Sequence, residues 1–213
     1  MTGRTAPAET AVTTEEQLVE LVGVPLQRVA DRVRPVLADL DRAWIAASPF
    51  CLLATADAAG RCDVSPKGDP SGVAHVLDER TLVLPDRPGN RRVDGFRNVL
   101  ANPHAGLLFV VPGRGDTLRV NGRARLVSDA PWFDDLVVQG HRPRLALVLD
   151  VEEVFHHCAK AFLRSHLWEP ETWRPDALPS TAVLAKRFML MQEPLEEIER
   201  YYGEAYAERL YRG

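Results

Sequence analysis

The chain has 213 residues, 46% of them hydrophobic and 26% charged, with a formal net charge of −4. That composition excludes a disordered or fibrous chain and suits one medium-sized globular domain with helical additions. Net acidity leaves no overall positive field to gather nucleic acid or an anionic membrane, so any anion site must be local.

The first ten residues, M-T-G-R-T-A-P-A-E-T, are polar and lack the apolar core of a secretory signal. The longest apolar runs, Leu107 to Val111 and Leu145 to Leu149, are strand-length, far short of the ~20 residues that a bilayer span requires. Cys51, Cys62 and Cys158 are odd in number and widely spaced, which argues against a disulfide framework. Two of the three sit in apolar surroundings and are expected as core thiols. A reducing, cytoplasmic setting is the corresponding expectation.

Thr13 and Glu16 have capping-box spacing ahead of Leu18, Leu21 and Val22, which predicts a helix starting near Thr13. A second helical stretch runs from about Pro25 to Ser48, interrupted at Pro35 and ended before Pro49. Residues 1–48 therefore read as an N-terminal helical extension. From Phe50 the pattern changes: Phe50 to Ala56 and Arg61 to Ser65 flank the turn Asp57-Ala58-Ala59-Gly60, predicting a hairpin. Val73 to Leu77 and Thr81 to Leu84 predict a second one. A helix over about Asn90 to Ala101 follows, with Val93, Phe96, Val99 and Leu100 on one face.

Strands over Ala105 to Val111 and Thr117 to Val127 come next. In the latter, Leu118, Val120, Ala124 and Leu126 face one way, and Arg119, Asn121, Arg123 and Arg125 the other. A short helix near Pro131 to Val138, a long strand over Arg144 to Phe155, and helices over Cys158 to Trp168, Thr181 to Met191 and Leu195 to Leu210 complete the reading. Consecutive antiparallel strands with inserted and appended helices make an α+β fold, and a small closed or half-closed barrel fits it.

Four segments carry candidate chemistry. D-R-P-G-N-R-R at 86–92 sits at the predicted start of the mid-chain helix. There, unpaired N–H groups, the helix dipole and the planar donors of Arg87, Arg91 and Arg92 suit a phosphate, with Asn90 as cap. The plain alternative is a solvated basic turn salt-bridged to Asp86 and Asp94. S-P-K-G-D at 65–69 reads as a turn after the first hairpin, in which Lys67 is the one residue a plain turn does not need. In C-A-K-A-F-L-R-S at 158–165, Lys160 and Arg164 share a helix face with Ser165 beside them. Arg119, Arg123 and Arg125 form a ladder that must meet water, acids or an interface, and a dimer seam is the favoured place. The adjacent His156, His157 and Cys158 are poorly spaced for one metal, and no metal site is expected.

Taken in chain order, S-P-K-G-D, L-V-L-P-D-R-P-G-N-R-R, a helix containing Asn98, L-L-F-V-V-P-G-R-G-D-T-L-R-V-N-G-R-A and C-A-K-A-F-L-R-S-x-L-W form a pattern. Over about residues 40 to 175 it resembles the FMN-dependent branch of the pyridoxamine 5′-phosphate oxidase-like flavoproteins. The resemblance implies an FMN-binding split β-barrel over 49–175, with helical extensions at 1–48 and 176–213, the latter packed on the barrel. It also implies a homodimer with FMN at the subunit interface. The phosphate falls to Arg87, Asn90 and Arg91, with Arg92 adjoining; Ser65, Pro66 and Lys67 lie along the flavin ring. Thr117 and Leu118 stand near the cofactor, and Lys160, Arg164 and Ser165 reach it from the partner chain.

A lysine near the pyrimidine edge would stabilise negative charge on the reduced ring, tuning chemistry that the flavin itself carries. The tail E-R-Y-Y-G-E-A-Y-A-E-R-L-Y-R-G lacks the arginine- and histidine-containing substrate motif of true pyridoxamine phosphate oxidases, so the vitamin B6 reaction is not expected. The expected function is an FMN-dependent oxidoreductase acting on a small molecule, with no catalytic side chain assigned. The alternatives are a deazaflavin F420-dependent reductase, whose acidic cofactor tail would suit the arginine ladder, and a non-catalytic flavin or haem carrier or sensor.

Overall fold

A capping threonine opens the first helix, one residue later than the sequence spacing predicts. Thr14, not Thr13, caps α1 (Glu15–Val22), accepting a hydrogen bond from the Gln17 N–H at 3.3 Å, while Gln17 Oε1 accepts one from the Thr13 N–H at 2.9 Å. Gln17 thus reaches one residue past the N-cap, and the reciprocal box expected of Thr13 and Glu16 does not form. The computed structural model describes residues 10–70, 72–189 and 191–211. The first nine residues, Ser71, Leu190 and the last two of the tail lie outside the described residues.

Two compact units divide the chain, Met1–Val33 and Arg34–Gly213. The first holds α1 and the single turn α2 (Gln27–Ala30). The helical stretch expected from Pro25 to Ser48 is split well apart, because Arg34 forms an antiparallel bridge with Val154 and Pro35 follows it. Helix resumes only at α3 (Asp39–Ala47), which begins the second unit's layered structure.

The second unit is built on β1 (Phe50–Ala56), β2 (Cys62–Gly68), β3 (His75–Val76), β4 (Thr81–Pro85), β5 (His104–Val110), β6 (Thr117–Val127) and β7 (Ala146–His157). They form one antiparallel sheet in the order β2-β1-β5-β6-β7-β4-β3. Helix α4 (Asp94–Ala101) packs on β1, β2 and β6, and α3 touches both β6 and β3. Inward residues of five strands, among them Leu53, Leu84, Leu107, Val120 and Leu149, converge in one cluster with Phe96 and Val99 of α4. The sheet therefore curls around a single core as an α+β split barrel.

Period-two alternation sets which side chains enter that core, and one bulge corrects its phase. On β6, Leu118, Val120 and Ala124 are buried while Arg123 and Arg125 are exposed. The pairing jumps from Asn121↔Glu153 to Gly122↔Val151, so β7 carries one extra residue, Glu152. That extra residue lets Leu147, Leu149 and Val151 point inward before the bulge and Val154 after it. Gly122 makes the close approach possible, since a Cβ there would stand 2.1 Å from the Asp150 carbonyl oxygen.

The short 3-10 helix Pro131–Leu136 covers the outer face of β4 and β7, where Val83, Ala146, Val148, Phe133 and Leu136 make a second cluster. After β7 come α5 (Lys160–Ser165), α6 (Thr181–Phe188) and α7 (Leu195–Tyr201). Ala182, Ala185 and Ile198 join α6 to α7 through a small core of their own. The helix expected over Leu195 to Leu210 breaks at Gly203, and the chain goes on as the 3-10 segment Glu204–Arg209. Glycine in a helix interior forfeits backbone entropy, which favours a break at that point.

Candidate functional site

Ser65, Pro66 and Lys67 are strand residues, not the turn that the sequence suggests. Strand β2 continues through Gly68, pairing Ser65 with Leu53, Pro66 with Leu52 and Lys67 with Cys51. Pro66 is tolerated because β2 is an edge strand, where the missing N–H leaves no neighbour unpaired. Alternation then places Asp63, Ser65 and Lys67 half-buried on the inner face, with Pro66 exposed on the outer one. The Lys67 ammonium lies 5.3 Å from the centre of the Phe96 ring on α4, a cation–π contact.

The basic loop meets this strand at the start of α4. That helix begins at Asp94, four residues later than expected, so Arg87, Asn90, Arg91 and Arg92 occupy the loop before it. Asn90 does not cap the helix. Its side-chain oxygen accepts from the Arg92 N–H at 2.9 Å and closes a local turn. Arg91 holds left-handed backbone, φ 59°, which few residues other than glycine adopt. Arg92 Nε donates to Asp94, and Asn90, Arg91 and Arg92 are all exposed. Gly95 lets the first turn approach β2 and β1, since a Cβ there would sit 3.3 Å from Asp63 Oδ2 and 3.5 Å from Thr55 Oγ1. Asn98 fastens the helix by donating to Thr55 Oγ1 at 3.0 Å.

Arg87 is held from two sides within the chain. Its Nε donates to Asp69 Oδ2 at 2.6 Å and its Nη2 to the Leu136 carbonyl at 2.9 Å. The two side chains are 14% and 4% exposed, so this is a buried pair. Its Nη1, also buried, has no hydrogen-bond partner among the described residues, so one donor of the guanidinium is left over. Alternation explains the outcome: Leu82 and Leu84 of β4 face the core, Val83 and Leu136 share the outer cluster, and Arg87 follows the outer set. Asp69 and Arg87, with Arg42, His75 and Leu136, also wall an open cavity of about 550 Å³.

Asp86, which the sequence reading treats only as a salt-bridge partner, lies half-buried near Lys67. Burial pushes its carboxyl above the ordinary range, opposed by the Lys67 ammonium and by Arg87. Burial likewise raises the Cys51 thiol to about 12, against the pull of Lys67. The inner corner thus assembles Asp63, Ser65, Lys67, Asp86 and the 89–92 loop. Extending period two through Asp63, Ser65 and Lys67 would have shown this face in the sequence; the Pro-Gly content of 65–69 masked it.

The remaining predicted residues gather elsewhere. Thr117 and Leu118 pair with His157 and His156, but the Leu118 side chain is wholly buried in the core, so only its backbone faces any ligand. Gly115 brings the loop before β6 against the start of α5, where a Cβ would lie 2.8 Å from Ala159 Cβ. Trp168 Nε1 adds a hydrogen bond to the Arg114 carbonyl at 2.7 Å. Lys160, Arg164 and Ser165 are exposed on α5, and the Ser165 hydroxyl donates to Phe162 O at 3.1 Å. This second cluster stands at β6 and β7, three strands or more from β2 in the sheet order.

The arginine ladder is largely neutralised within the chain. Arg119 pairs with Glu153 and lies over Phe155, and Arg125 pairs with Asp150. The cysteine expectation also changes: Cys51 alone is buried, and Cys62 and Cys158 are exposed. Beyond the predicted residues, Asp41 is buried at 1% exposure and receives Arg34 at 2.5 Å, the Ala38 N–H at 2.7 Å and His156 Nε2 at 2.8 Å. Burial disfavours its charge, yet these donors together hold its carboxyl below the ordinary range.

Compared with known families, residues 37–158 match the sequence pattern described as pyridoxamine 5′-phosphate oxidase. The chain belongs to the pyridoxamine 5′-phosphate oxidase family. The matched span runs from Leu37 through the end of β7, so it includes the inner corner and stops before α5. No curated protein matches the chain. Among solved structures it is similar to Group A Streptococcus HupZ, at 19% identity and TM-score 0.46 over 56% of this chain and 93% of that one. An FMN-binding protein from Syntrophomonas wolfei subsp. wolfei gives 11% identity and TM-score 0.45 over 67% and 93%. General Stress Protein 26 from Bacillus anthracis str. Sterne gives 13% and 0.42 over 54% and 88%. Among the described residues, no helix is long and apolar enough to cross a membrane, and no group of three or more His, Cys, Asp or Glu side chains forms a metal site.

Proposed function

We propose that this member of the pyridoxamine 5′-phosphate oxidase family is an FMN-dependent oxidoreductase acting on a small molecule in the cytoplasm. The observation that carries the reading is the inner corner, where the 89–92 loop, Lys67 and the start of α4 come together inside the matched span. The donor set fits a flavin mononucleotide. Arg91 has no carboxylate partner among the described residues, and it stands with Asn90 and Arg92 on an exposed loop able to fork around phosphate oxygens. Its left-handed backbone is the kind of local cost that persists where a site requires it.

In this reading Asn90, Arg91 and Arg92 hold the phosphate. Ser65, Pro66 and Lys67 run beside the ring, and Lys67 lies where positive charge would favour the reduced form. Thr117 and the Leu118 backbone complete the near side, while Lys160, Arg164 and Ser165 come from a second copy of the chain. The flavin, when bound, supplies hydride and electron transfer, and the protein binds, orients and tunes it. Burial raises the Asp86 carboxyl above its ordinary range at the same corner, with Lys67 opposing the shift.

Two features support a second copy: the exposure of Lys160, Arg164 and Ser165 on α5, and a bare sheet face. On the outer side of β2, β1, β5 and β6, Val64 is 60% and Phe50 37% exposed, with Leu52, Leu108 and Val110 half-buried around them. A homodimer covering this face would bury the strip. Arg119 and Arg125 are paired with Glu153 and Asp150, so of the ladder that the F420 reading invokes only Arg123 has no ion pair among the described residues.

Titration of purified, cofactor-stripped protein tests the proposal. FMN is expected to bind and to develop a perturbed visible spectrum, and Arg91→Ala/Arg92→Ala is expected to weaken it about a hundredfold, near 1.4 kcal/mol for each lost contact. Undiminished FMN affinity in the double variant would defeat the assignment. A bound flavin that no electron donor or acceptor turns over would leave a carrier as the function.

A further inference from the structure

The C-terminal tail returns to the barrel at one point that the flavin reading does not use. The Tyr211 hydroxyl donates to Asp69 Oδ1, while Asp69 Oδ2 accepts from Arg87 at 2.6 Å. The Arg87 guanidinium carbon also lies 6.0 Å from the centre of the Tyr211 ring. One carboxylate, 4% exposed, thereby joins three stretches of chain: the end of β2, the start of the basic loop and the tail. Its backbone is fixed as well, because the Asp69 N–H donates to the Pro49 carbonyl at 3.0 Å.

This junction sits where it controls the proposed phosphate site. Asp69 is two residues beyond Lys67, and Arg87 is three residues before Asn90. Arg87 is held a second time by the Leu136 carbonyl, so the loop has a rigid root and an exposed tip. Charge-assisted hydrogen bonds to phosphate depend steeply on donor placement, so the position of the root decides how well Arg91 and Arg92 converge. The phenol remains a neutral donor over the physiological range, since burial and the neighbouring Asp69 raise it to about 12.

We propose that Tyr211 is a positioning residue for cofactor recognition: through Asp69 and Arg87, it sets the loop that grips the phosphate and so makes the protein prefer FMN to riboflavin. This rests on the flavin reading above. The tail acts on specificity without touching the ligand, and the loop's grip depends on the tail being docked.

Calorimetric titration of the full chain with FMN and with riboflavin tests it, using wild type, Tyr211→Phe, Arg91→Gln and the double variant. Tyr211→Phe keeps the ring on Arg87 and removes only the hydroxyl. It is expected to weaken FMN about tenfold and leave riboflavin unchanged, so the preference falls by the same factor. In the double variant the two losses are expected to be non-additive, because both act on the same contact. Equal weakening of both ligands, an unchanged preference or full additivity overturns the positioning role while the flavin reading stands. A wild-type protein that binds riboflavin as tightly as FMN removes the phosphate site itself, and the proposal with it. Should Tyr211→Phe fold poorly by circular dichroism, Tyr211→His, which keeps a ring donor, is expected to restore part of the preference; no restoration in a folded protein counts against the proposal.

Discussion

The two halves of the sheet solve the burial problem differently. In the β4–β7 half both faces are covered: Leu82, Leu84, Leu147 and Leu149 enter the barrel core, while Val83, Ala146 and Val148 meet Phe133 and Leu136 on the other side. The β2–β1–β5 half has the same inner lining, but its outer face carries Phe50, Leu52, Val64, Leu108 and Val110 with no helix over them among the described residues. Apolar runs do not mark the difference, since Leu107 to Val111 in the bare half is as unbroken as Leu145 to Leu149 in the covered one. A bare face that is still apolar is what an association surface looks like before its partner arrives.

Three measurements would break or sharpen that contrast. The largest effect is expected in the doubly covered half, where Leu149→Ala should cost about 2–5 kcal/mol by removing fully buried side-chain volume. Urea unfolding monitored by tryptophan fluorescence reads it, and a loss no larger than that of Leu108→Ala would erase the distinction between the halves. Next in size is Leu52→Glu, which places a charge in the middle of the bare face. Sedimentation is expected to change from dimer to monomer, with unaltered secondary structure and reduced FMN retention; a variant that remains dimeric would move the subunit interface elsewhere.

The smallest effect concerns the inner face of the bare half. Burial raises the Cys51 thiol from 9.0 to about 12, so its contribution to stability is complete below pH 9 and is lost as pH climbs towards 12. Cys62 and Cys158, both exposed, are expected to react with a thiol reagent at pH 8, whereas Cys51 reacts only on unfolding. Fast modification of all three thiols in folded protein would mean that the inner lining of β1 is open.

Much of this fold was legible in advance. The strands from Phe50 to His157, the helix between β4 and β5, and the inward set on β6 follow from alternation and turn residues, which are properties of neighbouring positions. The family was also legible, from the order of the motifs. Errors occur where a local signal had two meanings. Pro66 and Gly68 suggest a turn anywhere except on an edge strand, and whether β2 is an edge depends on the order of the whole sheet. Likewise, Thr13 and Thr14 both offer a capping hydroxyl, and only the geometry of the first turn selects Thr14.

By itself the sequence determined the alternation, the breaks and the clustering of arginines between Asp86 and Asp94, because each is encoded within a few residues. Tertiary structure alone decided which charges meet. Arg87 finds Asp69 eighteen residues earlier in the chain, Tyr211 reaches the same carboxylate across 142 positions, and Arg119 is answered by Glu153 on the adjoining strand. Those pairings depend on the sheet order and the return of the tail, and the cost of burying an unpaired charge makes them decisive for what remains free to bind a ligand.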